Sequence, residues 1–249
     1  SRMEQIIQPM TKEVFLSNIW EREPKVFRND FTASFFPGKF SFGCLLSLVG
    51  QLGEADEPLE FGRDLNAARY RDGERQTPNG ETVDDVTLKN LYLHEKCTFQ
   101  FHQPQRFDDS LAELMKNMEA ELGCLVGCNA YLTPKGSQGL APHHDDVEIF
   151  VCQTQGTKRW RLYQPLQGFQ LPSQSSGDLP EDVIGEPVMD VVLNEGEVLY
   201  MPRGTIHQAA AQEADSTHLT ISTYQRWTWG DLATTVLQQA SQVAPSVLP

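Results

Sequence analysis

Six short strand-like segments follow one another at close spacing from about residue 125 onward. They are residues 129–133, 148–154, 158–164, 188–193, 197–202 and 218–224. Turn-forming sequences such as Pro134-Lys135-Gly136 and Asn194-Glu195-Gly196 separate them. Short strands with turns at regular spacing are typical of a β-sandwich or a barrel. This part of the chain therefore predicts a mainly β fold.

Helical patterns lie mostly outside this region. Apolar residues recur at helical spacing in four stretches, which are residues 11–20, 44–51, 110–122 and 229–243. Residues 98–102 alternate as a strand, and Asp72-Gly73 and Asn79-Gly80 are dipeptides typical of hairpin tips. Residues 168–186 are rich in Ser, Gln, Gly and Pro, which predicts a loop between strands. The predicted fold class is therefore α+β, mainly β with flanking helices.

These patterns divide the chain into three parts. Residues 1–124 are expected to form N-terminal helices and extra strands that support a barrel. Residues 125–228 are expected to form the barrel and to carry the chemistry. Residues 229–249 are expected to form a C-terminal helix.

The composition is that of a globular protein with an acidic surface. Hydrophobic residues make up 39% and charged residues 22% of the 249 residues. No apolar run of about eighteen residues is present to cross a membrane. The net charge of −14 argues against nucleic-acid binding by this chain, which would need clustered Lys and Arg. It favours a basic partner, such as a basic protein.

The cysteines do not predict a zinc site or a disulfide framework. The chain has five, Cys44, Cys97, Cys124, Cys128 and Cys152, and they form no C-x-x-C pair. Cys124 and Cys128 could flank one helical turn, but nothing supplies the other ligands that zinc requires. We therefore expect reduced thiols.

His143, Asp145 and a later histidine, His207, predict a metal site. His143 and Asp145 are two positions apart, so both side chains point the same way on an extended segment. His207 follows the strand-like segment 197–202 and the turn after it. Two imidazoles and one carboxylate suit ferrous iron and leave positions open for a co-substrate and oxygen. Zinc peptidases use the same donors, although usually from a helical H-E-x-x-H motif, which is absent here.

Lys158 is the candidate for binding a co-substrate carboxylate. It begins the strand that follows Gln155-Gly156, and a hairpin between segments 148–154 and 158–164 would bring it back toward the metal. A dicarboxylate that chelates iron through one end needs a cation at its far end, and a buried lysine could provide it. Without the metal ligands, an exposed lysine would be the simpler interpretation.

Four further polar residues are candidates for the same pocket. Asn129 and Tyr131 share one face of a strand, and Thr220 and Ser222 share one face of the last strand. Buried amides and hydroxyls need partners, which a carboxylate ligand could supply, although neighbouring side chains or water could also satisfy them. His144 points away from His143 on a strand and is left out of the metal site. His94, His102 and His218 lack a partner at ligand spacing and are interpreted as structural.

Five motifs in the sequence resemble the JmjC-type ribosomal oxygenases. The motifs are NAYLTP at 129–134, GSQG at 136–139, PHHDDVE at 142–148, KRWRLY at 158–163 and PRGTIHQA at 202–209. The resemblance runs from about residue 12 to residue 235, which is most of the chain. Residues 62–64 and 101–107 look closer to the ribosomal oxygenase 2 branch than to its nucleolar sister branch.

The resemblance implies a fold, an activity and a set of co-substrates. The family fold is a double-stranded β-helix, a jelly roll with helices and extra strands packed around it. Family members use Fe(II), 2-oxoglutarate and O2 to hydroxylate histidine side chains in large-subunit ribosomal proteins, and a bacterial branch hydroxylates arginine. A basic ribosomal protein is therefore the expected partner. The expected location is the nucleus or nucleolus, or the cytoplasm for a bacterial-type member.

The resemblance also assigns residues. His143, Asp145 and His207 match the iron ligands by position. Lys158 matches the lysine that pairs with the far carboxylate of 2-oxoglutarate, with Asn129 and Tyr131 nearby. His144 stands where animal members commonly have Tyr. Full-length relatives continue into a helical dimerisation region and a winged-helix domain, so residues 229–249 are expected to begin the former, and the full-length protein could form a homodimer.

Three other functions remain open at this point. Lysine demethylation of histone tails uses the same oxidant and would suit an acidic protein equally well. Arginyl hydroxylation would follow the bacterial branch. A non-enzymatic, cupin-like binding module is the third alternative, and the intact triad with Lys158 argues against it.

Overall fold

The computed structural model describes residues 1–166, 175–225 and 229–243, and within them two antiparallel sheets are flanked by helices. The strands are β1 Lys25–Phe27, β2 Leu65–Arg71, β3 Glu74–Gln76, β4 Thr98–His102, β5 Leu125–Thr133, β6 Glu148–Gln155, β7 Lys158–Tyr163, β8 Met189–Leu193, β9 Val198–Met201, β10 Ile206–Ala211 and β11 Ser216–Tyr224. The helices are α1 Arg2–Ile7, α2 Lys12–Asn18, α3 Asp30–Phe35, α4 Phe42–Glu54, α5 Asp85–Lys89, α6 Asp109–Leu122, α7 Glu181–Ile184 and α8 Trp229–Val243. A π-helical turn covers Asn90–His94 and a 3₁₀ turn covers Pro104–Phe107.

The strands form one large and one small sheet. The large sheet has the order β1-β9-β6-β11-β5-β4-β2-β3, and the small sheet has the order β10-β7-β8. The six strands predicted from residue 125 onward all form. Strands β1 to β4, from residues 1–124, complete the same large sheet. The first two expected parts of the chain, residues 1–124 and 125–228, therefore share one sheet.

Strand β6 shows why the large sheet lies at the centre of the molecule. Seven of its eight residues are buried, because both faces of the strand are covered. Phe150 and Cys152 point into a core shared with the N-terminal helices. Ile149 and Val151 point into a second core, where they meet Trp160 and other residues of the small sheet. The space between the two sheets is therefore the interior of a jelly roll.

Helix α6 illustrates how the helices cover the outer face of the large sheet. Asp108 caps its first turn by accepting a hydrogen bond from the backbone N–H of Leu111, at 2.9 Å. The helix ends at Gly123, whose φ of 68° is the left-handed conformation that favours glycine. Its buried side, which includes Leu111, Leu114 and Met118, joins the outer core. The helix predicted over residues 110–122 is thus present.

Two expectations about local pairing are wrong. Strands β6 and β7 do not form a hairpin, because β6 belongs to the large sheet and β7 to the small one. The chain changes sheets at Gly156, where φ is 62° and an added Cβ would lie 2.2 Å from the carbonyl oxygen of Asp215. Asp72-Gly73 does form the tip of a hairpin between β2 and β3. Asn79-Gly80 does not, and Asn79 instead accepts a hydrogen bond from the backbone N–H of Ala67 at 2.8 Å.

Part of the expected loop at 168–186 lies outside the described residues, as do residues 244–249 of the expected C-terminal helix. Helix α7 occupies the described end of that loop. In the described parts of the chain, no helix is long and apolar enough to cross a membrane. The cysteines are free thiols, and four of them are buried.

Candidate metal centre and co-substrate pocket

His143, Asp145 and His207 come together between the two sheets. Their candidate ligand atoms all lie within 4.8 Å of one another. The Asp145 Oδ2 atom is 3.9 Å from His143 Nε2 and 3.7 Å from His207 Nε2. Two imidazole nitrogens and a carboxylate oxygen at this spacing form a triangle that one divalent transition-metal ion can bridge.

Both histidines are held in the form that a metal requires. The Nδ1–H of His143 donates to the backbone carbonyl of Ala141 at 2.8 Å, and that of His207 donates to the carbonyl of Thr205 at 3.0 Å. Because a carbonyl can only accept, each Nδ1 carries a hydrogen, and in the neutral tautomer that results the Nε2 atom is the one that can bind a metal. Burial lowers the pKa of His207 to about 4, so its ring is neutral at physiological pH. The residues present therefore fit a bound metal.

Main-chain contacts fix the relative positions of the candidate ligands. The backbones of His143 and His207 pair directly, with N-to-O distances of 3.2 and 2.9 Å. The backbone N–H of Gly204 donates to the carbonyl of Asp145 at 3.0 Å. His207 lies in strand β10, where it is paired with Leu162 of β7. The sequence placed this histidine after a turn and missed the strand that holds it.

His144 faces away from this cluster, as its position beside His143 predicts. It is fully buried, and its backbone N–H donates to Ser176 Oγ at 2.9 Å. Its ring is not part of the group of three candidate ligands.

The ligands line a pocket that extends inward between the sheets. Its lining residues from the large sheet and the neighbouring loops are Thr98, Tyr131, Gly139, Leu140, Ala141, His143, Asp145, Ile149, Val151, Met201, His218 and Thr220. The small sheet contributes Lys158, Trp160, His207, Gln208 and Ala209.

Lys158 is a buried amine in this pocket. Its side chain is 4% exposed, and its Nζ donates to Thr133 Oγ1 at 3.0 Å. Among the described residues, no carboxylate forms an ion pair with it, and burial lowers its pKa from 10.5 to about 7. A buried lysine without a negative partner is costly. The pocket therefore favours a ligand that brings a carboxylate to Lys158.

Two other buried polar atoms in the pocket lack a hydrogen-bond partner among the described residues. They are Trp160 Nε1 and His218 Nδ1. The His218 ring stacks on Tyr131 with centroids 4.9 Å apart and meets the Trp160 ring edge-on at 5.2 Å. Burial lowers the pKa of His218 well below its usual value, with smaller contributions from Lys158 and His207. Unsatisfied buried polar atoms are rare, so they too indicate that this pocket takes a polar ligand.

The four other candidate residues divide into two groups. Tyr131 and Thr220 line the pocket. Asn129 and Ser222 do not, because they lie two positions further along the same sheet face and line an adjoining depression. Asn129 interacts with the Tyr131 hydroxyl and with His102 Nδ1, at 3.2 Å in the latter case. The structure thus places Asn129 and Ser222 outside the pocket in which the other site residues meet.

His218 and Gln208 are among the pocket residues that the sequence interpretation missed. The sequence predicts a structural role for His218, although this residue lies two positions before Thr220 and so on the same strand face. Gln208 is 3% exposed and donates to the Tyr163 hydroxyl at 2.6 Å, while Gln138 donates to its Oε1 at 3.2 Å. The alternation along β11 could have identified His218, but no sequence signal identified Gln208.

We expect Lys158→Met to stabilise the ligand-free protein. The folded state holds Lys158 with a pKa of about 7, whereas the unfolded state leaves it near 10.5. The unfolded state therefore binds more protons between these values, and the lysine opposes folding most strongly below pH 7. Replacing buried ion pairs with well-packed apolar side chains of similar volume is often neutral or stabilising by about 1–4 kcal/mol, and a buried lysine without a carboxylate partner among the described residues gives more reason to expect a gain. Denaturant unfolding at pH 7 should show the gain, which should shrink toward pH 10. A loss of stability at both pH values would contradict the burial argument.

Two facing antiparallel sheets with a His-Asp-His cluster between them define a jelly roll built to hold a metal ion. Comparison with known proteins identifies the group. A family model described as the JmjC domain matches residues 100–232, which is more than half of the chain. The chain therefore belongs to the JmjC family, as the five sequence motifs predict.

Individual relatives narrow this similarity to the ribosomal oxygenases. Ribosomal oxygenase 2 of Rattus norvegicus is 43% identical over 236 residues, which cover 93% of this chain and 49% of the relative. A bifunctional lysine-specific demethylase and histidyl-hydroxylase of Drosophila persimilis is 38% identical, over 92% of this chain and 32% of the relative. The chain thus spans half or less of the length of these relatives.

Solved structures confirm the fold class. The Escherichia coli ribosomal oxygenase YcfD, solved in complex with cobalt and 2-oxoglutarate, superposes with a TM-score of 0.66. The match covers 98% of this chain and 61% of that chain, with 21% sequence identity. At this identity the similarity supports the fold.

Proposed function

We propose that this chain is an Fe(II)- and 2-oxoglutarate-dependent oxygenase that hydroxylates a histidine side chain of a large-subunit ribosomal protein. The observation that carries this proposal is one pocket with two complementary ends. A His-Asp-His cluster stands at its mouth, and a buried lysine without a carboxylate partner among the described residues stands inside. A 2-oxo dicarboxylate has a chelating end for the first and a carboxylate for the second.

The triad supplies the metal end. Two imidazoles and one carboxylate leave open positions on ferrous iron, which, when bound, supplies the activation of oxygen that hydroxylation needs. The chain's own part is to orient both imidazoles through the carbonyl bonds of Ala141 and Thr205, so that each Nε2 faces the other candidate ligands. The apolar side chains of Ile149, Val151 and Met201 line the same space and exclude water from it.

Lys158 holds the far end of the co-substrate. Its charge would be stabilised by the second carboxylate of 2-oxoglutarate, while Thr133 keeps the ammonium group in place. Tyr131 and Thr220 line the same pocket and can donate hydroxyl hydrogens to a carboxylate. Asn129 acts indirectly, by bonding the Tyr131 hydroxyl. Ser222 is too far along the sheet face to share this pocket.

Two observations support a basic protein as the substrate. The chain has a net charge of −14, which favours encounter with a basic partner. The relatives are named ribosomal oxygenase and histidyl-hydroxylase. The Drosophila relative is also named a lysine-specific demethylase, so demethylation is a second candidate reaction for this pocket.

Mass spectrometry separates the candidate reactions. We expect incubation of the chain with Fe(II), 2-oxoglutarate and isolated ribosomal proteins to add one oxygen to a histidine of one large-subunit protein. Loss of a methyl group from a methylated histone peptide would favour demethylation instead, and oxygen on arginine would favour the bacterial reaction. The absence of iron-dependent succinate formation with every substrate would contradict an enzymatic function. His207→Ala is the matched inactive control.

A further inference from the structure

A buried polar cluster lies behind the metal site, outside the pocket. It consists of Glu148, Tyr200 and Arg203, none of which is among the residues that line the pocket. The side chains of Glu148 and Tyr200 are fully buried, and that of Arg203 is 14% exposed. The proposed function does not use these groups.

Glu148 is the centre of the cluster. Its Oε1 atom accepts from the Arg203 side chain at 3.0 Å and from the Arg203 backbone N–H at 3.3 Å. Its Oε2 atom accepts a short hydrogen bond from the Tyr200 hydroxyl. The hydroxyl donates in this bond, because an ionised carboxylate can only accept, and its oxygen also accepts from the backbone N–H of Glu21 at 2.8 Å. Both carboxylate oxygens are therefore satisfied inside the protein.

The cluster also ties down the N-terminal segment. Arg203 Nη1 donates to Glu21 Oε1 at 2.7 Å and to Gln225 Oε1 at 3.1 Å. Glu21 has a φ of 60°, a left-handed conformation that residues other than glycine seldom adopt. The Tyr200 ring stacks on the ring of Trp20, the residue before Glu21, with centroids 5.6 Å apart. Contacts with Tyr200 and Arg203 therefore hold residues 20 and 21 in place.

The positions of these residues in the sequence connect them to the metal ligands. Glu148 follows Asp145 by three residues and begins strand β6. Arg203 precedes His207 by four residues, in the turn between β9 and β10. The next residue, Gly204, donates its backbone N–H to the carbonyl of Asp145 at 3.0 Å. The Glu148–Arg203 pair therefore joins the two segments that deliver Asp145 and His207.

Stability alone does not account for a cluster of this kind. Buried ion pairs often contribute no more than well-packed apolar side chains of the same volume, because both charges lose their hydration. Burial accordingly raises the pKa of the Glu148 carboxyl, which Tyr200 and Arg203 only partly offset. What directed polar bonds add over apolar packing is a fixed geometry between the segments that they join.

We propose that Glu148, Tyr200 and Arg203 are positioning residues that set the distance between Asp145 and His207, and through it the affinity of the triad for metal. This inference rests on the proposed function, since it assumes that the triad binds a divalent metal. The ring of Tyr200 would serve packing, whereas its hydroxyl would serve the metal site.

Tyr200→Phe tests the inference, with Tyr92→Phe as its matched control. Both substitutions remove one hydroxyl from a fully buried, stacked tyrosine that is bonded to a carboxylate, Glu148 in one case and Asp215 in the other. Co(II) is the probe, titrated into the ligand-free chain, with its affinity and its visible absorption spectrum as readouts. We expect Tyr200→Phe to weaken Co(II) binding about tenfold, at the low end of the cost of losing an outer-shell partner. Its Co(II) spectrum should also change, whereas Tyr92→Phe should leave both readouts unaltered.

Glu148→Gln provides a second variant, which keeps an acceptor for Tyr200 and removes the charge opposite Arg203. We expect the same direction of change, and if this variant does not fold, Tyr200→Phe decides alone. Equal Co(II) affinity and spectra in the parent, Tyr200→Phe and Tyr92→Phe would overturn the inference and leave the proposed function intact. A parent chain that binds no Co(II) would overturn both.

Discussion

His207→Ala is expected to abolish 2-oxoglutarate turnover and to weaken metal binding more than about 100-fold, beyond the 10–100-fold cost of losing an outer-shell partner. The substitution leaves His143 and Asp145 as the remaining members of the cluster. Two donors cannot enclose one face of an octahedral ion as three can. Isothermal titration with Co(II) and succinate formation with Fe(II) measure the two effects.

The fold should survive this change, which makes the result interpretable. The bonds that join the segments of His143 and His207 are made by their backbones and do not involve the imidazole. His144→Asn is the matched control, because it removes an adjacent, equally buried imidazole that lies outside the candidate ligand group. We expect His144→Asn to bind Co(II) like the parent. Full turnover by His207→Ala with a protein substrate would eliminate the proposed site.

The pairing of His143 with Asp145 was predictable because the relevant information is local. Two side chains at positions i and i+2 of an extended segment must face the same way, which places His143 and Asp145 together whatever the rest of the fold. The buried strand β6 was also predictable, since a short apolar run that contains β-branched residues and ends at a turn signal favours a strand. Local sequence patterns were therefore enough to predict that His143 and Asp145 lie together and that strand β6 forms.

Strand pairing was less predictable, because adjacent strands in sequence need not be partners. The sequence suggested that β6 and β7 form a hairpin, but the Gly156 turn sends β7 into the opposite sheet. Lys158 still reaches the pocket, across the barrel rather than along one sheet. Strand β10 was missed because its sequence, IHQAAA, has little intrinsic preference for a strand and forms by pairing with β7.

The adjoining depression shows a further limit of the periodicity argument. Alternation says that Thr220 and Ser222 share a face, but not where along that face a pocket ends. The structure places the end between them, with Tyr131 and Thr220 inside and Asn129 and Ser222 outside. Where the pocket ends depends on the side chains of the small sheet, which form its opposite wall. The local sequence of β5 and β11 does not specify how those side chains are placed.

Lys158→Met is expected to abolish co-substrate binding while leaving metal binding intact. Truncating one partner of a buried charge pair costs about 2–5 kcal/mol, which corresponds to roughly 30-fold to several thousand-fold in affinity. Lys158 is not a candidate metal ligand, so Co(II) affinity should stay within about twofold of the parent value. Binding of 2-oxoglutarate to the Co(II)-loaded chain measures the loss. The ligand control is 2-oxopentanoate, which has the chelating end without the second carboxylate and should bind parent and variant alike.

The depressed pKa of Lys158 adds a pH dependence whose sign follows from the same burial. In the ligand-free pocket the pKa is about 7, and a carboxylate bound beside the ammonium group would raise it. Binding of 2-oxoglutarate is then coupled to proton uptake, so its affinity should fall by about tenfold between pH 6 and pH 8. Lys158→Arg should lose this dependence, because a guanidinium group stays charged throughout the range. A parent affinity that is unchanged over this range would show that Lys158 does not meet the carboxylate. A pocket that keeps a buried lysine half neutral until its ligand arrives would thus discriminate in favour of dicarboxylates, since only the second carboxylate stabilises the charged form.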